Sequence, residues 1–242
     1  MVMKNVVWTV YFLLVLARFA LCGNFAAQGV ALWDQLGTKK SPSSPLTSPN
    51  GEVSVRVALQ GDSEHRRLAL TICRLNHCSG VAVPNGVGAE LLWSPDSSRF
   101  ALTWSDGGRL GGYSTTIFSV EGNGVTELPI TPIVRQAFGH PVKCEIPEAP
   151  NVVPITWISA DRILIAAQIV PHTICDSAGT FKAYEVDIKR EKILNSFDQL
   201  EAKRLYGPRL GPALLSARDV CITHPADCEL PQNHKKSAKA AS

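Results

Sequence analysis

The residues best suited to chemistry surround one loop. Trp104, Asp106, Arg109 and Tyr113 flank or occupy a glycine-rich stretch, and His172 lies in a second polar loop just ahead of Cys175. Aromatic faces and a guanidinium suit a sugar or peptide ligand, and Asp106 is the carboxylate there with freedom to act as an acid or base. Plainer roles compete. Trp104 also suits a packing position in a sheet. Gly107, Gly108, Gly111 and Gly112 read as hairpin glycines, because no helix start follows to aim amides at a phosphate. Asp96 and Asp161 sit at matching places in a repeat, which favours a turn role over catalysis. The chain carries no G-x-S-x-G elbow, no H-E-x-x-H, no phosphate loop and no G-x-G-x-x-G after a strand. The expectation is a protein with no cofactor.

Cysteines bear on compartment. The sequence has seven, and the first, Cys22, ends an apparent leader. The others are Cys73, Cys78, Cys144, Cys175, Cys221 and Cys228, an even set that in an exported chain argues for disulfides. The expected pairs are Cys73–Cys78, Cys144–Cys175 and Cys221–Cys228, although spacing alone leaves the connectivity open. Cys221, His224 and Cys228 also have zinc-like spacing, and His77 with Cys73 and Cys78 could complete a site. Disulfides are the preferred reading, so no metal is expected.

The leader starts with Lys4 and an apolar run from Val6 to Ala17. About 12 residues are too few for a spanning helix, which needs roughly 20. Ala20 and Cys22 occupy the small-residue positions of a signal-peptidase site. Residues 1–22 therefore read as a signal peptide. A lipid anchor on Cys22 is disfavoured by the bulk of Leu21, and Arg18 weakens an uncleaved anchor. Cleavage takes Lys4 and Arg18 from the 24 basic residues and none of the 21 acidic ones. The remainder is close to neutral, with no general pull toward nucleic acid or anionic membrane. The expected location is periplasmic or extracellular, with no membrane span after cleavage.

The remaining chain is long enough for a sizeable core. Residues 24–37 suggest a short amphipathic helix, and Ser- and Pro-rich residues follow to position 50 as a linker. From Asn50-Gly51 the pattern is β. Glu52 to Leu59 alternates with period two, placing Val53, Val55 and Val57 on one face. Further strands are expected at Arg67–Cys73, Ala89–Trp93, Arg99–Trp104, Ser114–Val120 and Val125–Leu128. Five prolines in 129–151 suggest an excursion with little sheet. Strands resume at Ile155–Ile158, Arg162–Gln168, Phe181–Ile188 and Lys192–Ser196. Phe197–Leu205 has helical spacing, broken by Gly207-Pro208 and Gly211-Pro212. The domain is expected to span 51–228, with its C-terminal helical segment from about 197. Residues 229–242 read as a tail, and its lysines as a solvated end.

Two stretches share one plan: Trp93 onward and Trp157 onward. Each has a tryptophan, a turn with Asp, an Arg opening a strand, a polar loop and a strand with a central aromatic. SPNGEVSVRVAL from Ser48 is a degenerate copy without the tryptophan. The better copy, WSPDSSRFALTWSDGG, resembles β-propeller repeats of the TolB type and those of prolyl-oligopeptidase-like enzymes. Trp93, Ser94, Pro95, Asp96, Arg99, Phe100 and Ala101 carry the match. The resemblance implies a fold and little about activity, because the matched positions are turn and core residues. A closed propeller needs about four or more blades, and three starts are legible. The expected class is all-β, with propeller-like antiparallel blades in a small, open or incomplete array and short terminal helices. The function expected on such a scaffold is non-enzymatic binding of a protein or glycan partner through loops 105–113 and 169–180. The alternative is a hydrolase or lyase acting on a glycan or peptide through blade-loop carboxylates such as Asp106 and Asp176.

Overall fold

A computed structural model describes residues 25–32, 44–61, 67–84, 87–105, 112–139, 149–171, 173 and 177–218. The predicted leader, four of the six cysteines expected to pair and the tail lie outside them. So do Asp106, Arg109, His172, Asp176 and His224.

The architecture is three antiparallel meanders stacked face to face. Blade 1 comprises β2 (Leu46–Thr47), β3 (Val53–Gln60), β4 (Arg67–Arg74) and β5 (His77–Pro84). Blade 2 comprises β6 (Val87–Trp93), β7 (Arg99–Ser105), β8 (Tyr113–Glu121) and β9 (Gly124–Pro129). Its first strand is joined by β1 (Val30–Ala31) from the N-terminal segment. Blade 3 comprises β10 (Asn151–Ser159), β11 (Arg162–Gln168), β12 (Phe181–Asp187) and β13 (Lys192–Phe197). Among the described residues the sheets do not close on one another, so this is an open propeller-like array of the class expected.

Period-two alternation assigns each face. In blade 2, Leu91, Phe100, Leu102 and Phe118 pack against Val53, Val55, Val57, Leu68, Leu70 and Ile72 of blade 1. The opposite face, with Leu92, Ala101 and Ile117, packs against Val152, Ile163, Ile165 and Val186 of blade 3. The far face of blade 3, with Val153, Ile155, Leu164, Phe181 and Ala183, is covered by C-terminal helices. These are α2 (Gln199–Tyr206) and α3 (Pro212–Leu215), joined by a 3-10 turn at Gly207–Arg209. Ala202, Leu210 and Leu214 supply their apolar side.

Trp157 reaches its place through an irregularity. Val153 and Ile155 face the cap, so strict alternation would send Trp157 there too. The register of β10 on β11 shifts between Pro154 and Thr156. That bulge turns Trp157 toward blade 2, where its Nε1 donates to Leu92 O at 3.1 Å.

Several elements differ from expectation. The described part of the N-terminal segment, 25–32, is not helical: Ala26 bridges Leu210 and Val30–Ala31 pairs with Leu91 and Glu90. An open sheet edge on β6 wins over weak helical spacing. The proline-rich excursion contains a helix, α1 (Thr131–Phe138), because Pro132 sits in its first turn, where a missing N–H costs nothing. Thr131 Oγ1 accepts from Thr115 N at 2.8 Å and donates to Thr115 O, fixing α1 on blade 2. Strand β5 has no counterpart in the sequence reading, since it is an outer strand with weak patterning. Gly211-Pro212 opens α3 as well as ending what precedes it.

Candidate functional site

The two ends of the blade stack differ. One end carries short turns, and they are tied together. In blade 1, Ser48 Oγ donates to Asn50 Oδ1 at 2.8 Å and accepts from Val53 N at 3.0 Å. In blade 2, Ser94 Oγ donates to Asp96 Oδ1 at 2.7 Å and accepts from Arg99 N at 2.9 Å. The degenerate copy thus builds the same turn as the clear one. Both turns hold a residue at positive φ at the matching position, Gly51 at 78° and Ser97 at 61°. Ser97 Oγ accepts from Asn50 N at 3.1 Å, joining blade 1 to blade 2. Arg99 joins blade 2 to blade 3, its Nη1 2.9 Å from Ala160 O and 3.0 Å from Asp161 Oδ1. Lys189 Nζ stands on the other oxygen of Asp161 at 2.9 Å.

Asp96 and Asp161 therefore both serve turns, but differently. Asp96 organises its own turn, whereas Asp161 anchors the neighbouring blade. Burial alone would raise the Asp96 carboxyl. The Ser98 and Ser94 hydroxyls, the Ser98 amide and the Arg99 charge outweigh it and hold the carboxyl below its ordinary value.

The opposite end carries the long connections. The links β3–β4, β7–β8 and β11–β12 all leave and re-enter there, as the antiparallel register requires. The base of the 169–180 loop is closed by Ile169 N to Thr180 O and Gly179 N to Ile169 O, at 2.9 and 3.0 Å. Gln168 Nε2 adds a bond to Gly179 O. The base of the 105–113 loop is fixed by Tyr113 N donating to Asn151 Oδ1 at 3.0 Å, which ties it to blade 3.

Of the candidate ligand residues, Trp104 and Tyr113 are described, and they do not share a face. Trp104 pairs with Ser114, and Ser105 with Tyr113. Trp104 is half-buried against the blade 1–blade 2 core, and its Nε1 is buried with no hydrogen-bond partner among the described residues. Tyr113 lies toward blade 3, its ring edge-on to Phe25 at 4.9 Å between centroids.

Cys73 and Cys78 form a disulfide across the β4–β5 hairpin. That bond removes both from any zinc site with His77. No helix among the described residues is long and apolar enough to cross a membrane.

One residue that the sequence reading passed over stands out. Glu90 lies in the first strand of blade 2 and is 1% exposed. Its Oε2 accepts from Phe25 N at 2.8 Å and its Oε1 from Ala26 N at 3.0 Å. Burial pushes its carboxyl up to about 7, opposed by those two amides. The signal in the sequence was a lone acid inside the apolar run before Trp93.

No protein-family model matches this chain, and no curated protein does. Among solved structures, the β-propeller domain of the Trilobed protease from Pyrococcus furiosus, described as having an open velcro topology, aligns at 14% identity. The alignment covers 65% of this chain and 42% of that one, with a TM-score of 0.39. Pyrococcus horikoshii acylaminoacyl peptidase aligns at 12% identity over 69% of this chain and 26% of its own, with a TM-score of 0.38. An acylaminoacyl peptidase bound to Z-Gly-Gly-Phe-chloromethyl ketone aligns at 12% identity over 65% of this chain and 25% of its own, with a TM-score of 0.39. The chain spans less than half the length of each. All three come from peptidases and none is described as TolB-type. The blade assignment rests on the strand order and register within this chain.

Proposed function

We propose that the chain is an exported, non-enzymatic binding module that engages a protein or glycan partner through the loop-bearing end of its blades. The observation that supports this is the asymmetry between the two ends. One is locked by hydrogen bonds and an ion pair running turn to turn, whereas the other gathers the long connections, of which the 105–113 and 169–180 loops stand on strands packed on both sides. Loops on a rigid sheet scaffold are where contact residues usually sit. Trp104 and Tyr113 brace the 105–113 loop from opposite faces of blade 2, and Asp106, Arg109 and His172 supply contacts from the loops themselves. Export is supported by the leader pattern and by the Cys73–Cys78 disulfide, which suits an oxidising compartment.

Site-specific photo-crosslinking in the producing cell tests this. A photoreactive residue at Gly112, at the loop end, should give protein or glycan adducts. One at Asn123, at the tied end, should give none. Equal labelling from both positions, or labelling from Asn123 alone, would overturn the assignment. Intact mass of the exported protein, expected to start at Gly23 with three disulfides, checks the export half of the reading.

A further inference from the structure

The N-terminal segment 25–31 behaves as a strap. It adds β1 to the inner edge of blade 2 and reaches the C-terminal cap at the same time. Ala27 N donates to Arg209 O at 2.9 Å and Gly211 N to Phe25 O at 2.8 Å. Glu90 is the side chain that holds the strap's start, taking two successive amides on its two oxygens. The fit is close: a Cβ on Gly29 would overlap Glu90 Oε1. Glu90, Thr103 and Thr115 form a cross-strand row on the face toward blade 3. The row ends where Thr115 Oγ1 donates to Val152 O at 2.7 Å.

Among the described residues, the hydrogen-bond partners of Glu90 are the two strap amides, and no cation is paired with it. The described strap residues, 25–32, include no titratable side chain. β7 sets Thr103 opposite, β8 brings Tyr113 and Thr115, and blade 3 presents its apolar residues. The C-terminal segment brings Arg209, whose Nη1 is engaged by Gln28 Oε1 at 3.3 Å. Two amides recover part of the hydration that an ionised carboxylate gives up here, and no described cation recovers the rest.

We propose that Glu90 is a protonation-controlled latch: neutral, it holds the strap on the edge of β6, and ionised, it releases the strap and with it the strap's bonds to the C-terminal cap. The closed strap favours the carboxyl that stays protonated up to about 7, while the open strap exposes a carboxyl of ordinary value. The opening constant therefore rises with pH between the two values and levels off above the higher one. The latch operates whatever the loops bind.

Hydrogen exchange on the full chain, corrected for the intrinsic pH dependence of amide exchange, reads this directly. From pH 5 to pH 8 the opening constant of amides 25–31 should rise on the order of a hundredfold, while amides of Arg162–Gln168 stay protected. Glu90→Gln should flatten that dependence. A flat profile in the wild type, or an unchanged rise in Glu90→Gln, would overturn the latch. Should Glu90→Gln fail to fold, the Glu90 side-chain carbon can be titrated by NMR in the wild type. A midpoint near neutrality that tracks strap exposure supports the latch, and one near the ordinary glutamate value overturns it.

Discussion

Blade 1 and blade 3 stand at the two ends of the same stack and finish it in opposite ways. In blade 3 both faces are buried, one against blade 2 and one under the C-terminal helices. In blade 1 only one face is buried. Strand β3 alternates strictly, with Val53, Val55 and Val57 inside and Arg56 and Ala58 exposed. Superposing the turns makes Val53 the counterpart of Arg99 and Arg162. Phe100, Leu102 and Trp104, which face the preceding blade, then correspond to Ser54, Arg56 and Ala58. Blade 1 has no preceding blade among the described residues, and its sequence there is small or polar. The tryptophans obey the same logic: Trp93 packs toward blade 1 and Trp157 toward blade 2. The copy without a tryptophan is the one whose preceding face has no described blade to meet. The lesson is that an end of a β stack is solved either by polarity or by a cap, and this chain uses each once.

The contrast is broken most readily by cutting side chains on the two end faces. Leu164→Ala, under the cap, should cost about 2–5 kcal/mol, whereas Thr71→Ala on the free face of blade 1 should stay within about 0.5 kcal/mol. Chemical denaturation of both variants decides it, and equal losses would mean that the free face of blade 1 is covered. Next in size is the joint between blades 2 and 3. Arg99 is buried and bonded to Ala160 O and Asp161. Arg99→Ala should cost about 2 kcal/mol, and a double-mutant cycle with Asp161→Asn should recover a coupling between them.

The disulfide sharpens the comparison at the outer rim of blade 1. It closes a short loop, so replacing Cys73 and Cys78 together by serine should lose about 2 kcal/mol or less in the chain-entropy view, with the hairpin register retained. The smallest mutational effect is expected where blades 1 and 2 meet at their turns. Ser97→Ala keeps the positive φ but removes the acceptor for Asn50 N, for a loss near 1 kcal/mol.

The pH responses of two carboxyls in blade 2 run in opposite senses. Glu90 has a raised folded value, about 7 against 4.5. Its contribution is fully present below the lower figure and is lost as pH rises through the upper one. Asp96 is lowered, so its contribution is present above its ordinary value and is lost as pH falls through the folded value. From pH 3 to pH 8, the melting temperature of the wild type relative to Glu90→Gln should fall as pH rises through about 7, and relative to Asp96→Asn should rise with pH and fall away at the acid end.

Much of this fold was legible in the residues. The alternation of Val53, Val55 and Val57, the Ser-Pro-Asp turn and the twin tryptophan-to-aromatic stretches place blade strands within a residue or two of where they lie, except that β10 begins at Asn151, four residues before the expected Ile155. These are local signals: period two, fixed φ at proline and side-chain caps act over a few residues whatever surrounds them. Outer strand β5 and helix α1 were not legible. One has weak patterning and the other is masked by prolines that its first turn tolerates.

The candidate site divides along the same line. Sequence marked the loops, and it could name Trp104 and Tyr113 as their flanks. It could not say that the two point to opposite faces, which depends on the pairing of Ser105 with Tyr113. Nor could it give Glu90 a role, because that needs residues 25 and 26 brought against position 90. The sequence by itself determined most of the blade strands, the turn chemistry and the number of blade starts, since those follow from neighbours along the chain. Only the tertiary structure decided how the stack ends, which face each tryptophan meets and that a strand is added from the N-terminal segment. Those depend on which unsatisfied sheet edges and apolar faces find partners far away in the chain.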